Sequence, residues 1–313
     1  MNGNGNSKRG LTRRDWMKAV AVAGVAASSG AFAAPAGSIL KRKIPKTGEM
    51  LPAIGLGTSR TFNIGSSEEE RAPRREVLKS FVQEGGTLVD TSPMYGRAEQ
   101  VIGDLAADLK VQDKLFYATK VWIEGEDEGI DQMEQSMRLM RTKHIDLMQI
   151  HNLVDWETQL ATLRDWKQEK RIRYIGVTHY QVSYHDDLAA LLKKHKDFDF
   201  VQFNYSMDTR DAEKTILPLC ADLGIATLIN RPFEKAGLFG KVMKKPLPPW
   251  AAEFDCKSWA QYFLKYILAE PAVTCAIPAT SKPKHLVDNM QAGYGRLPDA
   301  KMRQQMVKYL ESL

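Results

Sequence analysis

Short apolar runs alternate with longer amphipathic stretches along most of the chain. Eight runs of four to six residues are almost continuously apolar, at positions 53–57, 87–90, 116–120, 145–150, 174–178, 200–203, 226–229 and 274–277. Parallel strands that are buried on both faces have this continuous pattern, whereas strands with one wet face alternate apolar and polar residues. The runs therefore predict eight parallel strands.

The stretches between these runs have the spacing of amphipathic helices. Residues 74–84 place Val77, Leu78 and Phe81 on one face, as a helix of 3.6 residues per turn requires. The same spacing predicts helices at residues 98–109, 131–140, 159–170, 186–195, 211–223, 258–268, 284–290 and 299–313. Each predicted strand is thus followed by a helix.

Eight strand–helix units in one chain predict an α/β fold, a single (β/α)8 TIM barrel. An open, doubly wound sheet is the alternative arrangement of the same elements. Before the first unit, Thr47-Gly48 is a turn signal between two short extended pieces and predicts an N-terminal β-hairpin that caps the barrel. We expect the barrel domain to cover residues 44–313, with active-site groups where strands end.

The first 34 residues have the pattern of an export signal. Arg13-Arg14 precede an apolar, Ala-rich run at residues 19–27, and Ala31-Phe32-Ala33 matches a small-residue cleavage site. The paired arginines resemble the twin-arginine export motif, and the apolar run is too short for a stable membrane span. We predict a cleavable twin-arginine signal peptide at 1–34, a linker at 35–43, and a periplasmic or otherwise exported protein. An ordinary amphipathic first helix is the alternative.

The charge distribution argues against a nucleic-acid partner. The net charge is +6, but residues 1–34 alone carry +4, so only +2 remains for the predicted barrel. A surface that binds a polyanion keeps its basic excess within the folded domain. The three cysteines, Cys220, Cys256 and Cys275, form no CxxC pair, so we expect no metal centre.

Four reactive side chains fall at or just beyond the ends of neighbouring predicted strands. Asp90 ends the second strand and Tyr95 follows it, Lys120 ends the third, and His151 ends the fourth. A carbonyl that receives hydride must also gain a proton, and a tyrosine beside an ammonium group is a suitable donor. The residues therefore predict catalysis by Tyr95, with Lys120 lowering its pKa, Asp90 holding Lys120, and His151 orienting the carbonyl.

These segments resemble the aldo-keto reductase family. The resemblance rests on four motifs that stand in order: Gly86-Thr-Leu-Val-Asp90 with Tyr95-Gly96, Ala118-Thr-Lys120, Gln149-Ile-His151-Asn152, and Ile277-Pro-Ala-Thr-Ser-Lys282. It extends from Gly55-Leu-Gly-Thr58 to the last of these, which is nearly the whole predicted barrel. The resemblance implies reduction of an aldehyde or ketone to an alcohol, with NADPH as hydride donor and NADH as the alternative donor. A cofactor-binding, redox-sensing subunit with little turnover is the alternative function.

The resemblance also implies which residues bind the cofactor. It places Thr58, Thr178, His179, Gln202 and Asn230 near the nicotinamide, Arg231 and Phe233 along the pyrophosphate, and Thr280, Ser281, Lys282, Lys284 and Asn289 at the adenosine phosphate. His179 stands where the family commonly has Asn, and Asn230 where many members have an aromatic residue. Met94, Trp122 and Asn152 are the candidate substrate-pocket residues. We expect a monomer whose partners are a small carbonyl compound and the twin-arginine export machinery.

Overall fold

The computed structural model describes Met1 and residues 37–313. Apart from Met1, the predicted signal peptide at 1–34 lies outside the described residues. Within the part that is described, no helix is long and apolar enough to cross a membrane.

Eight parallel strands form one sheet, in chain order. The amide of Gly55 donates to the carbonyl of Ala276, and the amide of Ala276 donates to Ala53, so the last strand returns to the first and the sheet closes into a (β/α)8-like barrel. All eight predicted strands are present. Two short strands, β1 (Lys41–Lys43) and β2 (Met50–Pro52), precede the barrel. The barrel strands are β3 (Leu56–Gly57), β4 (Leu88–Asp90), β5 (Phe116–Val121), β6 (Ile145–His151), β7 (Ile172–His179), β8 (Phe200–Asn204), β9 (Ala226–Asn230) and β10 (Cys275–Ala276).

Helices connect the strands and surround the barrel. They are α1 (Glu68–Gln83), α2 (Ala98–Leu109), α3 (Glu126–Met140), α4 (Trp156–Gln168), α5 (His185–Lys194), α6 (Ile216–Leu223), α7 (Gly237–Lys241), α8 (Trp259–Leu268), α9 (Pro283–Gln291) and α10 (Ala300–Glu311). Every helix predicted from the sequence is present, although several begin elsewhere than the apolar spacing indicated.

Capping and proline positions explain two of the larger differences in helix bounds. α1 begins six residues before the predicted start, because the Ser67 hydroxyl donates to the Glu70 carboxylate at 2.8 Å and accepts from the Glu70 amide at 3.4 Å. This reciprocal capping fixes a first turn that lacks apolar residues. The predicted helix 211–223 is split, and α6 begins at Ile216 because Pro218 is tolerated in a first turn, where no amide donor is needed.

The predicted hairpin lies at the end of the barrel where the strands begin. β1 (Lys41–Lys43) pairs antiparallel with β2 (Met50–Pro52), and Ile44 and Leu51 pack against the barrel's interior cluster. Residues 39–43, predicted as part of the linker, belong to this folded body. The correction follows from burial, since Ile39 and Leu40 lie in the main hydrophobic core.

Candidate active site

The alternation of side chains along each strand places four polar residues inside the barrel. Leu88, Phe116, Leu147 and Phe200 belong to the interior apolar cluster, while residues next to them, such as Val89, pack outward in the core beneath the helices. Successive residues of a strand point to opposite faces. Two or four positions further on, the same strands carry the interior side chains Asp90, Lys120, Gln149 and Gln202, which form a polar layer above the apolar one.

Asp90 and Lys120 form a buried ion pair within this layer. Lys120 Nζ lies 3.0 Å from Asp90 Oδ1 and 2.9 Å from Oδ2, and it donates a further hydrogen bond to the carbonyl of Thr91 at 2.7 Å. The Lys120 side chain is fully buried. Burial alone lowers the pKa of a lysine, but Asp90 and Tyr95 together outweigh that effect and the pKa of Lys120 is raised, so the residue is an ammonium cation.

Tyr95 lies beside this pair, in the short 3-10 helix Pro93–Tyr95 that follows β4. The Ser92 hydroxyl caps this turn by accepting from the Met94 amide at 3.2 Å, and Lys120 Nζ lies 5.0 Å from the centre of the Tyr95 ring. Burial raises the pKa of Tyr95 above its usual value of about 10, while the charge of Lys120 lowers it in part. The phenol is therefore protonated at neutral pH and able to donate.

His151 ends β6 and faces Tyr95. The two rings meet edge to face, with centres 6.2 Å apart, and His151 Nδ1 lies 3.3 Å from the Ser92 hydroxyl. Burial, followed by the positive charge of Lys120, lowers the pKa of His151 to about 3. The imidazole is neutral at physiological pH, so one ring nitrogen carries a hydrogen that can be donated in a hydrogen bond.

A network of amide side chains surrounds the Asp90 carboxylate. Gln202 Nε2 donates to Asp90 Oδ1 at 2.7 Å and Gln149 Nε2 donates to the same oxygen at 3.2 Å. Gln202 Oε1 accepts from Thr178 and from Asn230, each at 3.4 Å. The network joins the ends of five strands, β4 and β6 to β9, to the ion pair.

A cavity of about 1100 Å³ opens above this layer, at the end of the barrel where the strands end. Three of the four predicted catalytic residues line it, and Lys120 lies buried behind them. The cavity is also lined by predicted cofactor residues and by all three predicted pocket residues: Thr58, Thr178, Gln202, Asn230, Arg231, Phe233, Thr280, Asn289, Met94, Trp122 and Asn152. The structure thus brings together most of the residues that the sequence singled out.

Four predicted cofactor residues do not line the cavity: His179, Ser281, Lys282 and Lys284. Lys282 is the N-cap residue of α9 and Lys284 lies in its first turn, next to lining residue His285. His179 follows the inward-facing Thr178, so alternation turns it away from the barrel, and its ring stacks on Tyr184 with centres 3.6 Å apart. Because side chains alternate along a strand, the position of His179 directly after Thr178 predicts from the sequence alone that His179 points away from the cavity.

Several lining or supporting residues were missed by the sequence reasoning. Tyr180 lies at the cavity beside the predicted residue Arg231, whose guanidinium carbon is 4.0 Å from the Tyr180 ring centre, and Arg60, Trp259 and Asp288 are further lining residues that were not predicted. Gln149 was part of a quoted motif but received no role. A glutamine inside a buried strand is the signal that was available, because a buried amide requires hydrogen-bond partners.

The described part of the chain offers no metal site. Within residues 37–313, no three His, Cys, Asp or Glu side chains are grouped so that they can hold a metal ion. Cys220, Cys256 and Cys275 are buried free thiols, and burial raises the pKa of Cys220 and of Cys256 to about 12. The reactive groups at the cavity are therefore acids, bases and amides.

The sequence profile of the Aldo/keto reductase family matches residues 53–308. The chain belongs to the aldo/keto reductase family. It is accordingly an oxidoreductase, and the matched residues include every strand of the barrel and all the side chains of the site.

Two relatives with curated names show how distant this member is. An aldo-keto reductase of Bacillus subtilis, YhdN, is 25% identical over 217 residues, which are 64% of this chain and 64% of the relative. Methylglyoxal reductase YeaE of Escherichia coli is 27% identical over 246 residues, 76% of this chain and 84% of the relative. The chain thus spans just under two thirds of the first relative's length and more of the second's.

Solved structures of aldo-keto reductases share the fold. A Klebsiella pneumoniae aldo-keto reductase in complex with NADPH has a TM-score of 0.73 at 22% identity, covering 87% of this chain and 96% of that one. The glycerol dehydrogenase of Gluconobacter oxydans has a TM-score of 0.70 at 20% identity, covering 87% and 95%. At these identities the likeness concerns the barrel itself.

Proposed function

We propose that this chain reduces an aldehyde or ketone to an alcohol, with hydride from NADPH and a proton from Tyr95. The observation that carries the proposal is the arrangement of Tyr95, Lys120 and His151 at one cavity: a protonated phenol, a buried ammonium group that lowers its pKa, and a neutral imidazole. These are a proton donor, the charge that assists it, and a hydrogen-bond donor for the substrate oxygen.

The cavity residues fit a nicotinamide dinucleotide. Asn152 and Asn230 each have a buried side-chain oxygen without a partner among the described residues, and both line the cavity. Such acceptors complement the N–H groups of a carboxamide, because an unsatisfied buried acceptor is costly. Thr178, Gln202 and Asn230 would hold the nicotinamide end, Arg231 the pyrophosphate, and Thr280 with Lys282 and Lys284 the adenosine phosphate. When bound, NADPH supplies the hydride.

The position of the Lys120 ammonium group explains how Tyr95 can release its proton. Its ammonium group donates to Asp90 and to the Thr91 carbonyl, and it also interacts with the Tyr95 hydroxyl. As the carbonyl carbon gains hydride, negative charge develops on the carbonyl oxygen. Tyr95 gives its proton to that oxygen, and Lys120 stabilises the phenolate that remains until solvent returns a proton. The carbonyl group thus gains one hydride and one proton, and Tyr95 returns to its starting state when solvent protonates it.

His151 orients the substrate and does not act as an acid. Ser92 Oγ accepts from the Met94 amide and lies 3.3 Å from His151 Nδ1, and in the tautomer in which the Ser92 hydroxyl donates to Nδ1 the imidazole proton is on Nε2. From that position a neutral N–H can donate to the carbonyl oxygen. An imidazolium beside Lys120 would place two cations together in a buried site, which the pKa of about 3 excludes at neutral pH.

Export and oligomeric state are further proposals about this protein. We propose that residues 1–34 form a twin-arginine signal, that the partner of this segment is the corresponding export machinery, and that the protein acts as a monomer in the periplasm or outside the cell. The support is the Arg13-Arg14 pair before an Ala-rich run. Export of a folded protein would carry a tightly bound cofactor with it.

The proposed activity is tested with the purified full chain, NADPH, NADH and a panel of aldehydes, ketones and dicarbonyls. A decrease in absorbance at the reduced-nicotinamide band that depends on the carbonyl compound supports the reductase. The methylglyoxal reductase relative makes small dicarbonyl compounds the first members of the panel. Binding of NADPH without turnover of any compound would contradict it and favour the cofactor-binding, redox-sensing subunit.

A further inference from the structure

Asp90 Oδ1 receives hydrogen bonds from three nitrogen donors. They are Gln202 Nε2 at 2.7 Å, Lys120 Nζ at 3.0 Å and Gln149 Nε2 at 3.2 Å. Gln149 Oε1 in turn accepts from Gln202 Nε2 at 3.2 Å. The two amides and the carboxylate thus form a closed triangle beneath the cavity, in which each amide fixes the orientation of the other.

Gln149 takes part in this triangle without reaching the cavity. Its side chain is fully buried and does not belong to the cavity wall, whereas Asp90 and Gln202 do. Any effect of Gln149 on substrate or cofactor must therefore pass through the residues that it contacts. That property separates it from Tyr95 and His151, which face the cavity directly.

The neighbouring strand is adapted to this side chain. Gly176 on β7 pairs with Gln149 on β6, and a Cβ atom at position 176 would lie only 2.8 Å from Gln149 Cγ. A side chain there would force the surroundings to shift, Gln149 first and then Leu147, whose Cδ1 would lie 3.0 Å from the added Cβ. The absence of a side chain at Gly176 leaves the interior space that Gln149 occupies, so the two positions act together.

We propose that Gln149 is a positioning residue of the catalytic site, whose amide holds the Asp90 carboxylate turned toward Lys120. The inference rests on the proposed reductase function, because it concerns the ion pair that assists Tyr95. A carboxylate can rotate about its Cβ–Cγ bond and exchange its oxygens. Gln149 and Gln202 both donate to Oδ1 and so restrain that rotation, in the orientation that keeps both carboxylate oxygens within hydrogen-bond distance of Lys120 Nζ.

The amide dipole also affects the charge that Tyr95 experiences. The charges of Lys120, Asp90 and Arg231 act on the pKa of Tyr95, and the ring of Tyr95 meets that of His151. An N–H directed at Asp90 compensates part of the carboxylate's negative charge. When this donor is lost, the uncompensated charge favours the neutral phenol, so the pKa of Tyr95 rises.

The test uses Gln149→Met, which keeps the volume of the side chain and removes both the donor and the acceptor. We expect kcat for carbonyl reduction to fall about tenfold, as for loss of one donor at a buried charged group. We expect the dissociation constant of NADPH to change less than about twofold, since Gln149 does not line the cavity. The alkaline limb of the kcat–pH profile should move to higher pH by about half a unit.

Gln159→Met is the matched control. Gln159 is also fully buried, but its amide donates to the carbonyls of Ile123 and Gly125 and not to Asp90. This variant should lose stability in the same manner and leave the alkaline limb unmoved. Gly176→Ala is a second route to the same effect if Gln149→Met does not fold, and it should move the limb in the same direction by a smaller amount.

A spectroscopic measurement separates failure of this inference from failure of the proposed function. Carbon-13 NMR of the tyrosine Cζ atoms, with Tyr95 identified by Tyr95→Phe, reports the Tyr95 pKa without any turnover. The inference is upheld if the Tyr95 midpoint moves to higher pH in Gln149→Met but not in Gln159→Met. It is overturned if the midpoint stays in place in Gln149→Met, or moves equally in both variants, whether or not a carbonyl substrate is found.

Discussion

Lys120 Nζ lies within 3.0 Å of both carboxylate oxygens of Asp90, with Lys120 fully buried and Asp90 almost fully buried at the floor of the cavity. Both charges have lost their hydration, so each depends on the other. The pair therefore serves the stability of the barrel as well as the charge environment of Tyr95.

Removing one partner of this pair should strongly destabilise the protein. Lys120→Met leaves a buried carboxylate without its cation, and we expect the free energy of unfolding at neutral pH to fall by about 3–5 kcal/mol. Chemical denaturation followed by circular dichroism measures it. Arg164→Ala, which breaks the surface pair with Asp197, is the comparison and should cost less than about 1 kcal/mol. Equal losses in the two variants would show that Asp90 and Lys120 are not coupled as described.

The low pKa of His151 predicts a specific pH dependence of stability. The folded-state pKa is about 3 and the unfolded value is about 6.5, so the unfolded chain binds more protons between these limits. The free energy of unfolding should therefore fall as pH decreases from 6.5 toward 4, by up to about 1.4 kcal/mol per unit from this residue.

His151→Gln isolates that contribution from the rest of the protein. All other titrating groups remain, so the difference between the two stability–pH curves belongs to His151. We expect the variant's curve to be shallower between pH 6.5 and 4 and parallel to that of the unmodified protein above pH 7.5. Parallel curves over the whole range would mean that folding leaves the pKa of His151 unchanged.

Much of the barrel could be predicted because each strand is buried on two sides. Continuous apolar runs located all eight strands, and the residues at their ends located the cavity. Helix starts were harder, because α1 is set by the Ser67–Glu70 cap, which apolar spacing does not report. The predicted linker at 35–43 included the hairpin strand Lys41–Lys43, which has no buried side chain of its own and is held by backbone pairing with Met50–Pro52.

Within the polar layer, the residue type alone predicts a role for some side chains but not for Gln149. Asp90, Lys120 and Tyr95 have recognisable chemistry, whereas the role of Gln149 follows only from three donors converging on one oxygen. That convergence depends on the register between β6 and β7, which places Gly176 opposite Gln149. No local sequence pattern determines such register, so the glutamine could not be distinguished from a structural amide.

The lysines at the start of α9 should select the phosphorylated cofactor. Lys284 lies in the first turn of that helix and Lys282 at its N-cap, beside cavity residues Thr280 and His285. A charge-assisted hydrogen bond contributes about 1.5–3 kcal/mol, so Lys282→Ala with Lys284→Ala should weaken NADPH binding by about tenfold or more. NADH binding, measured by the same fluorescence titration, should change less than about twofold. Equal losses for both cofactors would place the lysines elsewhere than at the phosphate.

The proposed export signal predicts a simple change of location. Arg13→Lys with Arg14→Lys keeps the charge of the segment but removes the paired guanidinium groups. We expect the unmodified protein in the periplasmic fraction of a host with a twin-arginine system, and the variant to remain inside the cell. If both proteins appear in the same fraction, the segment is not a twin-arginine signal. A cytoplasmic marker enzyme controls for leakage.

In the proposed reaction, Tyr95 gives the proton to the carbonyl oxygen. The NADPH-dependent reduction rate of Tyr95→Phe with the best compound of the panel tests this role, alongside NADPH affinity and unfolding free energy. We predict that kcat falls by about 10²–10⁴-fold, while NADPH affinity and stability are nearly unchanged. A variant that retains most of the activity with its fold and cofactor binding intact would contradict the assignment of Tyr95 as the acid.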